Sequence, residues 1–410
     1  MDKKILLKDL GFKCYVVTLF LGAFNDNAYK FTIQLILIGG LATTSGQGRY
    51  LGIAVAVFTV PFLLFSTYAG YLADRFSKQR VIQYLKITEI VVMIFGGIAF
   101  YLGHITIIYW VLFLMGTQSA FFSPAKYGIL PEMLHDRDLS KANGIVQMAT
   151  YVAIILGTMA GGFIVEEFEP NLPLGSLFYI SIAVVGSVAS IWVPPVPPSP
   201  SQRNFEINPF TTLYHTCKEV IQHRKLAYTI LGIAYFFFLA SVLQLILILY
   251  GKNMLYFSPK ENGLFQAVLA LGIGLGSLLA GRLSGEKIEL RLVPLGAILI
   301  SLFSLDLFLF TTHTWRAVFD VMMLSLGGGL YIVPLNALLQ QQAPRDKKGQ
   351  YIGCSNTISF AGVFLASFVV WGLLDIVRLD PAQSLFVMGG LTLLGTLFIL
   401  SLMLRKQHSI

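Results

Sequence analysis

Gly70-Tyr71-Leu72-Ala73-Asp74-Arg75-Phe76-Ser77-Lys78-Gln79-Arg80 has a worn copy 211 residues later, Gly281-Arg282-Leu283-Ser284-Gly285-Glu286-Lys287. Each follows a long apolar segment. A second pair, Pro124 in Ser123-Pro124-Ala125-Lys126 and Pro334 in Val333-Pro334-Leu335-Asn336, stands 210 residues apart. Two pairs at nearly one spacing within 410 residues predict a duplication, with two copies of one helical unit in parallel. The copies are unequal. Gly285 takes the place of Asp74, so any bond made by that carboxylate belongs to the first copy alone.

Outward from the motif the chain is apolar. Hydrophobic residues make up 56% of it and charged residues 12%, against about 25% charged in ordinary soluble proteins. Segments of spanning length run over 12–40, 50–73, 81–102, 105–123, 142–165, 174–194, 227–250, 262–283, 291–311, 315–340, 351–375 and 382–404, each close to the length a bilayer demands of a helix. The expectation is an all-α membrane protein of twelve transmembrane helices in two six-helix pseudo-repeats. With the chain starting inside, 22 of the 29 lysines and arginines fall on the cytoplasmic side and five outside, and Lys30 and Lys86 lie within segments. That excess puts both termini in the cytoplasm. The first segment is too long and too charged for a signal-peptide core and is read as retained.

Pro194-Pro195-Val196-Pro197-Pro198-Ser199-Pro200 cannot continue a helix and divides the chain. The expected organisation is an N-terminal six-helix bundle over residues 1–194, a cytoplasmic linker over 195–226 and a C-terminal six-helix bundle over 227–410. Within the linker, Asn208-Pro209 reads as an N-cap and first-turn proline. Phe210, Leu213, Cys217, Val220 and Ile221 then recur at helical spacing, which fits a short helix along the membrane surface or, alternatively, a plain solvated connector.

The least expected residues in the apolar segments are Phe24-Asn25-Asp26-Asn27-Ala28-Tyr29-Lys30-Phe31. A charge near the bilayer centre costs about 2.5–3.5 kcal/mol on insertion scales, so Asp26 and Lys30 must face protein or water. Four residues apart, acid first, they share a helical face, and Asn25 and Asn27 add hydrogen-bonding capacity. The pattern fits a solute-facing polar site, or alternatively a self-neutralising pair that fixes the first helix in its bundle. Lys86 and Glu89, three apart in the third segment, read as a structural pair with the lysine stem snorkelling to the cytoplasmic end. Asp306, Asp320 and Asp375 lie toward external helix ends, and Asp306, the deepest, is the one to consider for the solute path. Gln118, Gln147, Gln244, Asn336, Asn356 and the glycines at 272, 274, 276 and 327–329 suit helix contacts.

Other chemistries find little support. The net charge of +8 lies in short tracts between apolar runs, without the basic face that follows phosphates, so nucleic acid is not an expected partner. Cys14, Cys217 and Cys354 form no CxxC and the six histidines lack ligand spacing, so neither a disulfide framework nor a metal is expected. No nucleophile–base constellation or His-x-x-x-x-Asp motif points to an enzyme, and no cofactor is implied.

The duplication into parallel six-helix repeats resembles the major facilitator superfamily, whose solute site lies near the midplane between the repeats. The Gly70–Arg80 stretch is similar to that superfamily's loop between the second and third helices, commonly Gly-x-x-x-Asp-Arg-x-Gly-Arg-Lys, with Ser77 replacing the second glycine. The resemblance implies a gating role: Gly70 permits close packing, and Asp74 and Arg75 make charge-assisted bonds that hold the cytoplasmic side closed.

A closer resemblance rests on several stretches together: Gly22-Ala23-Phe24-Asn25-Asp26-Asn27-Ala28, Phe122-Ser123-Pro124-Ala125-Lys126-Tyr127-Gly128-Ile129-Leu130-Pro131-Glu132, Lys141-Ala142-Asn143-Gly144, Gly157-Thr158-Met159-Ala160-Gly161-Gly162 and Val333-Pro334-Leu335-Asn336-Ala337-Leu338-Leu339-Gln340. These are similar to the bacterial lysophospholipid transporter family. The resemblance implies a monomeric multi-pass protein of the bacterial inner membrane that moves lysophospholipids, chiefly lysophosphatidylethanolamine, inward by alternating access. A separate acyltransferase/acyl-ACP synthetase would then re-acylate them, because this chain stops at Ile410. Asp26, Lys30, Asn25, Asn27, Gln244 and Asn336 are the expected substrate-binding residues, and Gly70, Asp74 and Arg75 the gating ones. The family's arginine in the seventh helix and acid in the eleventh have no match here: Tyr235 to Tyr250 offers only Gln244, and the eleventh segment is neutral until Asp375. A carboxylate for an ammonium and a lysine for a phosphate still suit a zwitterion. The alternative is a major facilitator exporter of a drug or an amphiphilic metabolite such as a siderophore, because the fold does not fix the cargo.

Overall fold

In the computed structural model, residues 9–41, 46–135, 138–169, 171–197, 217–284, 288–310, 313–342 and 348–407 are described. Twelve long helices account for most of them: α1 (Leu10–Ile36), α2 (Gln47–Arg75), α3 (Lys78–Leu102), α4 (Ile105–Gly128), α5 (Leu139–Phe168), α6 (Leu172–Ser190), α7 (Arg224–Asn253), α8 (Pro259–Ser284), α9 (Leu292–Leu309), α10 (Thr314–Gln342), α11 (Lys348–Trp371) and α12 (Pro381–Gln407). Ten helices among the described residues are long and apolar enough to cross a membrane. Residues 37–41 and 372–376 extend α1 and α11 as single π turns. Most of the predicted surface helix, up to residue 216, lies outside the described residues; residues 217–222 are helical.

Local sequence explains several helix starts. In Ser258-Pro259-Lys260-Glu261, the Glu261 amide donates to Ser258 Oγ at 3.3 Å and the Ser258 amide to Glu261 Oε2 at 2.8 Å. Asp380-Pro381-Ala382-Gln383 repeats the arrangement at α12, with bonds of 2.7 and 3.1 Å. Each satisfies two amides that the first turn would otherwise leave without a partner, and a proline at the first helical position loses nothing. Gly103 ends α3 at φ 64°, its amide bonded to the Ala99 carbonyl. Pro124 does not end the fourth segment as its sequence position implied: α4 continues to Gly128 with the proline inside it, as α2 and α10 contain Pro61 and Pro334.

The duplication is visible in which helices touch. In the first six, α1 lies against α5 and α6, and α3 against α4 and α6. In the second six, α7 lies against α11 and α12, and α9 against α10 and α12. Small residues set the closest approaches. A Cβ on Gly157 of α5 would overlap the Phe24 carbonyl oxygen of α1, and one on Gly161 would stand 2.5 Å from that of Ala28. Thr32 closes the same crossing, its hydroxyl donating to the Gly161 carbonyl at 3.0 Å. Close backbone contact of this kind takes the place of hydrophobic driving force inside a membrane. The Gly272–Gly276 run of α8 and the Gly327–Gly329 run of α10 serve likewise, with Gly276 against Leu326 and Gly329 against Ile273.

By proximity of Cα atoms the chain forms two compact units, one holding α1, α2 from Ala54 onward and α3 to α6, the other Leu37–Ile53 and α7 to α12. Within the first, Lys86 Nζ and Glu89 Oε2 meet at 2.5 Å with side chains 0% and 2% exposed, so the lysine does not snorkel. The other carboxylate oxygen accepts from Asn25 Nδ2 at 3.1 Å. Gly22 and Gly186 make the room: a Cβ on either would stand 3.2 or 2.9 Å from Lys86 Nζ. Within the second, Asp306 is paired with a cation of its own unit. It takes two bonds from Arg316, at 2.9 and 2.7 Å, while that guanidinium lies 3.5 Å from the Phe310 ring centroid.

Residues 37–53 sit in the second unit because its side chains satisfy their backbone. Asp375, in the π turn after α11, accepts from the amide of Gly46 at 2.7 Å and from that of Arg49 at 2.5 Å. It thereby caps α2 from a remote position, next to a glycine at φ 113° that has no side chain to do so. Lys252 donates to the Ile38 carbonyl, and Asn253 Nδ2 to Gln47 Oε1 at 3.0 Å. Gly52 lies so close to α11 that a Cβ would stand 2.6 Å from the Ser367 carbonyl oxygen.

Two outcomes follow. Asp375→Ala should weaken the start of α2 by about 0.5–2 kcal/mol, as for loss of an N-cap, read as faster hydrogen exchange at the Gly46 and Arg49 amides; unchanged exchange would show the cap idle. Glu89→Ala leaves Lys86 buried without its partner and should cost about 3–5 kcal/mol in thermal or denaturant unfolding. Replacing both, Lys86→Met with Glu89→Leu, should recover part of that, short of all because Asn25 loses its acceptor. A double variant no more stable than the single would contradict the assignment.

Candidate functional site

Leu19, Gly22, Ala23 and Asp26 recur along α1 at spacings of three and four, as do Ser119, Phe122, Ser123, Lys126 and Tyr127 along α4, so each set forms one stripe of its helix. The two stripes face each other. With Glu89 of α3 and Gln118 they line a cavity of about 170 Å³ within the first unit. Its lining mixes the polar and charged side chains with Leu19, Ala23 and Phe122.

Asp26 enters this cavity held at one side. Ser119 Oγ donates to its Oδ2 at 2.7 Å, whereas its Oδ1 has no hydrogen-bond partner among the described residues. Glu89 lines the same space but has both oxygens engaged, by Lys86 and by Asn25. Lys126 donates to Thr150 Oγ1 of α5 at 3.0 Å and lies 5.1 Å from the Tyr127 ring centroid. Its backbone carbonyl accepts from the Tyr15 hydroxyl, which ties the end of α4 to α1. The cavity thus offers a carboxylate oxygen with spare acceptor capacity, an ammonium held by a single hydroxyl, and the hydroxyls of Ser119, Ser123 and Tyr127.

The structure brings only part of the predicted set to this place. Asp26 and Lys30 do not pair within 4 Å, although they share a face. Lys30 Nζ lies 3.4 Å from Asn27 Oδ1 and 5.5 Å from the Phe58 ring centroid, which takes up its charge before it reaches Asp26. Asn27 donates to the Ala23 carbonyl at 2.7 Å, and Asn25 turns inward to Glu89. None of these three lines the cavity. Gln244 of α7 and Asn336 of α10 belong to the second unit, half-buried. Lys126 escaped the sequence reading because it counted as a cytoplasmic charge, and Ser119 was not singled out. The shared spacing of the two stripes was the signal available.

Around the gating motif the geometry also differs from the expectation. A Cβ on Gly70 would meet nothing within 4 Å among the described residues, so close packing is not what this glycine serves there. Arg75 folds back on its own helix, donating to the Tyr71 hydroxyl with its guanidinium 5.7 Å from that ring. The side chain of Asp74 lies outside the described residues. The bond between helices comes instead from Lys78, buried at the start of α3, which pairs with Glu132 in the one-turn helix Leu130–Met133.

A profile of the Major Facilitator Superfamily matches residues 16–367. Curated lysophospholipid transporters named LplT align along most of the chain. The one from Photorhabdus laumondii is 28% identical over 369 residues, covering 90% of this chain and 88% of its own. That of Escherichia coli strain HS is 29% identical over 408 residues (96% and 94%), and that of Shigella boydii serotype 4 is 30% identical over 358 (85% and 83%). Among solved structures, a POT family transporter superposes with a TM-score of 0.75 at 14% identity over 96% of each chain. The nucleoside transporter NupG also gives 0.75, at 11% identity over 96% of this chain and 99% of its own. These last likenesses speak for the fold alone. The chain is a multi-pass membrane protein that belongs to the major facilitator superfamily, within its lysophospholipid transporter family.

Proposed function

We propose that this protein is an inner-membrane flippase that moves lysophospholipids, chiefly lysophosphatidylethanolamine, inward by alternating access, for re-acylation by a separate acyltransferase. The observation that carries the reading is the free Oδ1 of Asp26 in a cavity that also holds Lys126. A primary ammonium has hydrogens to donate to that oxygen, and Lys126 can meet the adjoining phosphate as a point charge. No covalent step is needed. The headgroup exchanges water for fixed partners, and two conformations of the protein expose the site in turn. Gly70, Asp74 and Arg75 are proposed as part of the cytoplasmic gate, with Lys78 and Glu132 holding the turn beside them.

The chemistry separates headgroups. A choline headgroup carries no N–H, so it gives Asp26 charge but no hydrogen bond. Bonds to charged groups contribute about 1.5–3 kcal/mol, which sets the expected preference for the ethanolamine lipid at roughly tenfold or more. Proteoliposomes given labelled lysophosphatidylethanolamine, lysophosphatidylcholine, a siderophore and a cationic dye test this together. Preference for the siderophore or dye would replace the reading with an exporter.

Asp26→Asn and Lys126→Gln should each lower lysophosphatidylethanolamine uptake by about tenfold or more with unfolding temperature little changed, because both groups border a cavity and each replacement keeps a polar side chain of similar size. Variants that unfold at much lower temperature would make the two residues structural. For topology, a cysteine at Glu167 should label from the periplasm and one at His223 from the cytoplasm in a cysteine-free background. The reverse pattern would remove the proposed direction of transport.

A further inference from the structure

Cys217 and Cys354, 137 residues apart in sequence, stand with their sulfurs 3.2 Å apart. Both are free thiols. The spacing in sequence gave no reason to join them; the fold does, because residues 217–222 dock on the first turns of α11. Val220 is buried among Leu226, Ile230, Leu339 and Tyr351. Tyr351 Oη donates to Glu219 Oε2 at 3.1 Å, so contacts flanking the thiols on both strands of chain hold them in register. A disulfide needs sulfurs about 2.05 Å apart, and the remaining gap of about 1 Å is within reach of side-chain torsion.

We infer that Cys217 and Cys354 form a reversible dithiol–disulfide site that reacts with small-molecule disulfides and fastens the chain entering α7 to α11. The two thiols differ in access. Cys217 is part-exposed and Cys354 is buried, so Cys217 is the thiol that attacks first and Cys354 the one that resolves. The Cys217 thiolate attacks one sulfur of a disulfide such as oxidised glutathione, forming a mixed disulfide and expelling one glutathione thiolate, which takes up the proton Cys217 gave up. The Cys354 thiolate then attacks Cys217 Sγ and expels the second glutathione, which takes the proton from Cys354. The protein loses two electrons and two protons, and glutathione disulfide gains both. A reducing cytosol keeps the pair as thiols, so the bridge responds to oxidative conditions, the usual role of cytosolic disulfides. The cytoplasmic placement rests on the topology proposed above; the reactivity does not.

The test uses the full chain in inverted membrane vesicles treated with oxidised glutathione, then digested without reduction and read by mass spectrometry. The expected result is a peptide containing Cys217 joined to one containing Cys354, both thiols returning after dithiothreitol. In Cys354→Ser the same treatment should leave a stable glutathione adduct on Cys217, and in Cys217→Ser it should leave Cys354 unmodified. A glutathione adduct on Cys217 in the wild type with Cys354 still reduced would overturn the proposal, as would two unreacted thiols from either side of the membrane. A bridge formed only in right-side-out vesicles would uphold the dithiol and overturn the topology instead.

Discussion

An ion inside a membrane protein has lost its water, and the organisation of the first unit follows from replacing it. Lys86 and Glu89 are on one helix, yet the pair survives only because α1 and α6 are cut away around it. Gly22 and Gly186 stand where any larger residue would strike the ammonium, and Asn25 supplies the donor for the remaining carboxylate oxygen. That bond, with the close contacts of α1 on Gly157 and Gly161, helps fix the rotation of α1 about its axis. With Asn25 turned toward Glu89, Asp26 falls one helical step round and meets Ser119 of α4. The structural pair thus positions the half-satisfied carboxylate, which is the difference between a dry ion pair that fixes a bundle and a site with capacity to spare.

The same logic separates the carboxylates of the cavity by role. Glu89 has both oxygens engaged and forms wall. Asp26 has one engaged and one without a partner among the described residues, which in a native structure calls for an explanation; the ammonium of the proposed headgroup is one. Lys30 is instead taken up by Asn27 and the face of Phe58, a cation–π contact that a helical-face argument from sequence does not weigh.

The fold was largely legible because periodic hydrophobicity and excess positive charge are averages over twenty residues, insensitive to individual contacts. The twelve segments have counterparts in the helices, and residues 194–197 lie outside any helix. What the sequence misled on were pairings. Pro124 reads as a stop, but a proline within a bundle is tolerated where neighbours satisfy the freed carbonyl. Lys126 reads as a topological charge because it lies near a segment's end, whereas Thr150 and Tyr127 keep it at the cavity. Cys217 and Cys354 read as unrelated because only a docked linker brings them together. Asp26 was legible for the opposite reason: a carboxylate in the middle of a spanning segment has few explanations.

The repeat also shows where the chemistry was allowed to diverge. At the 211 offset of the loop motif, Asp26 corresponds to Phe237, Lys86 to Ala297 and Glu89 to Ile300; at the 210 offset of the proline pair, Ser119 corresponds to Gly329 and Lys126 to Asn336. The charged groups around the cavity thus have uncharged counterparts. Ala297 and Ile300 are buried, and Ala297 sits in a hydrophobic cluster with α7 and α10 side chains. The contacts of the first and third helices of each half recur, α1 with α5 and α6 as α7 with α11 and α12, and α3 with α4 and α6 as α9 with α10 and α12, so those packings do not require the charges. A symmetric pair of charged cavities would bear the cost of burying ions twice. Confining them to the first unit halves that cost, so the proposed headgroup site belongs to one copy of the repeat.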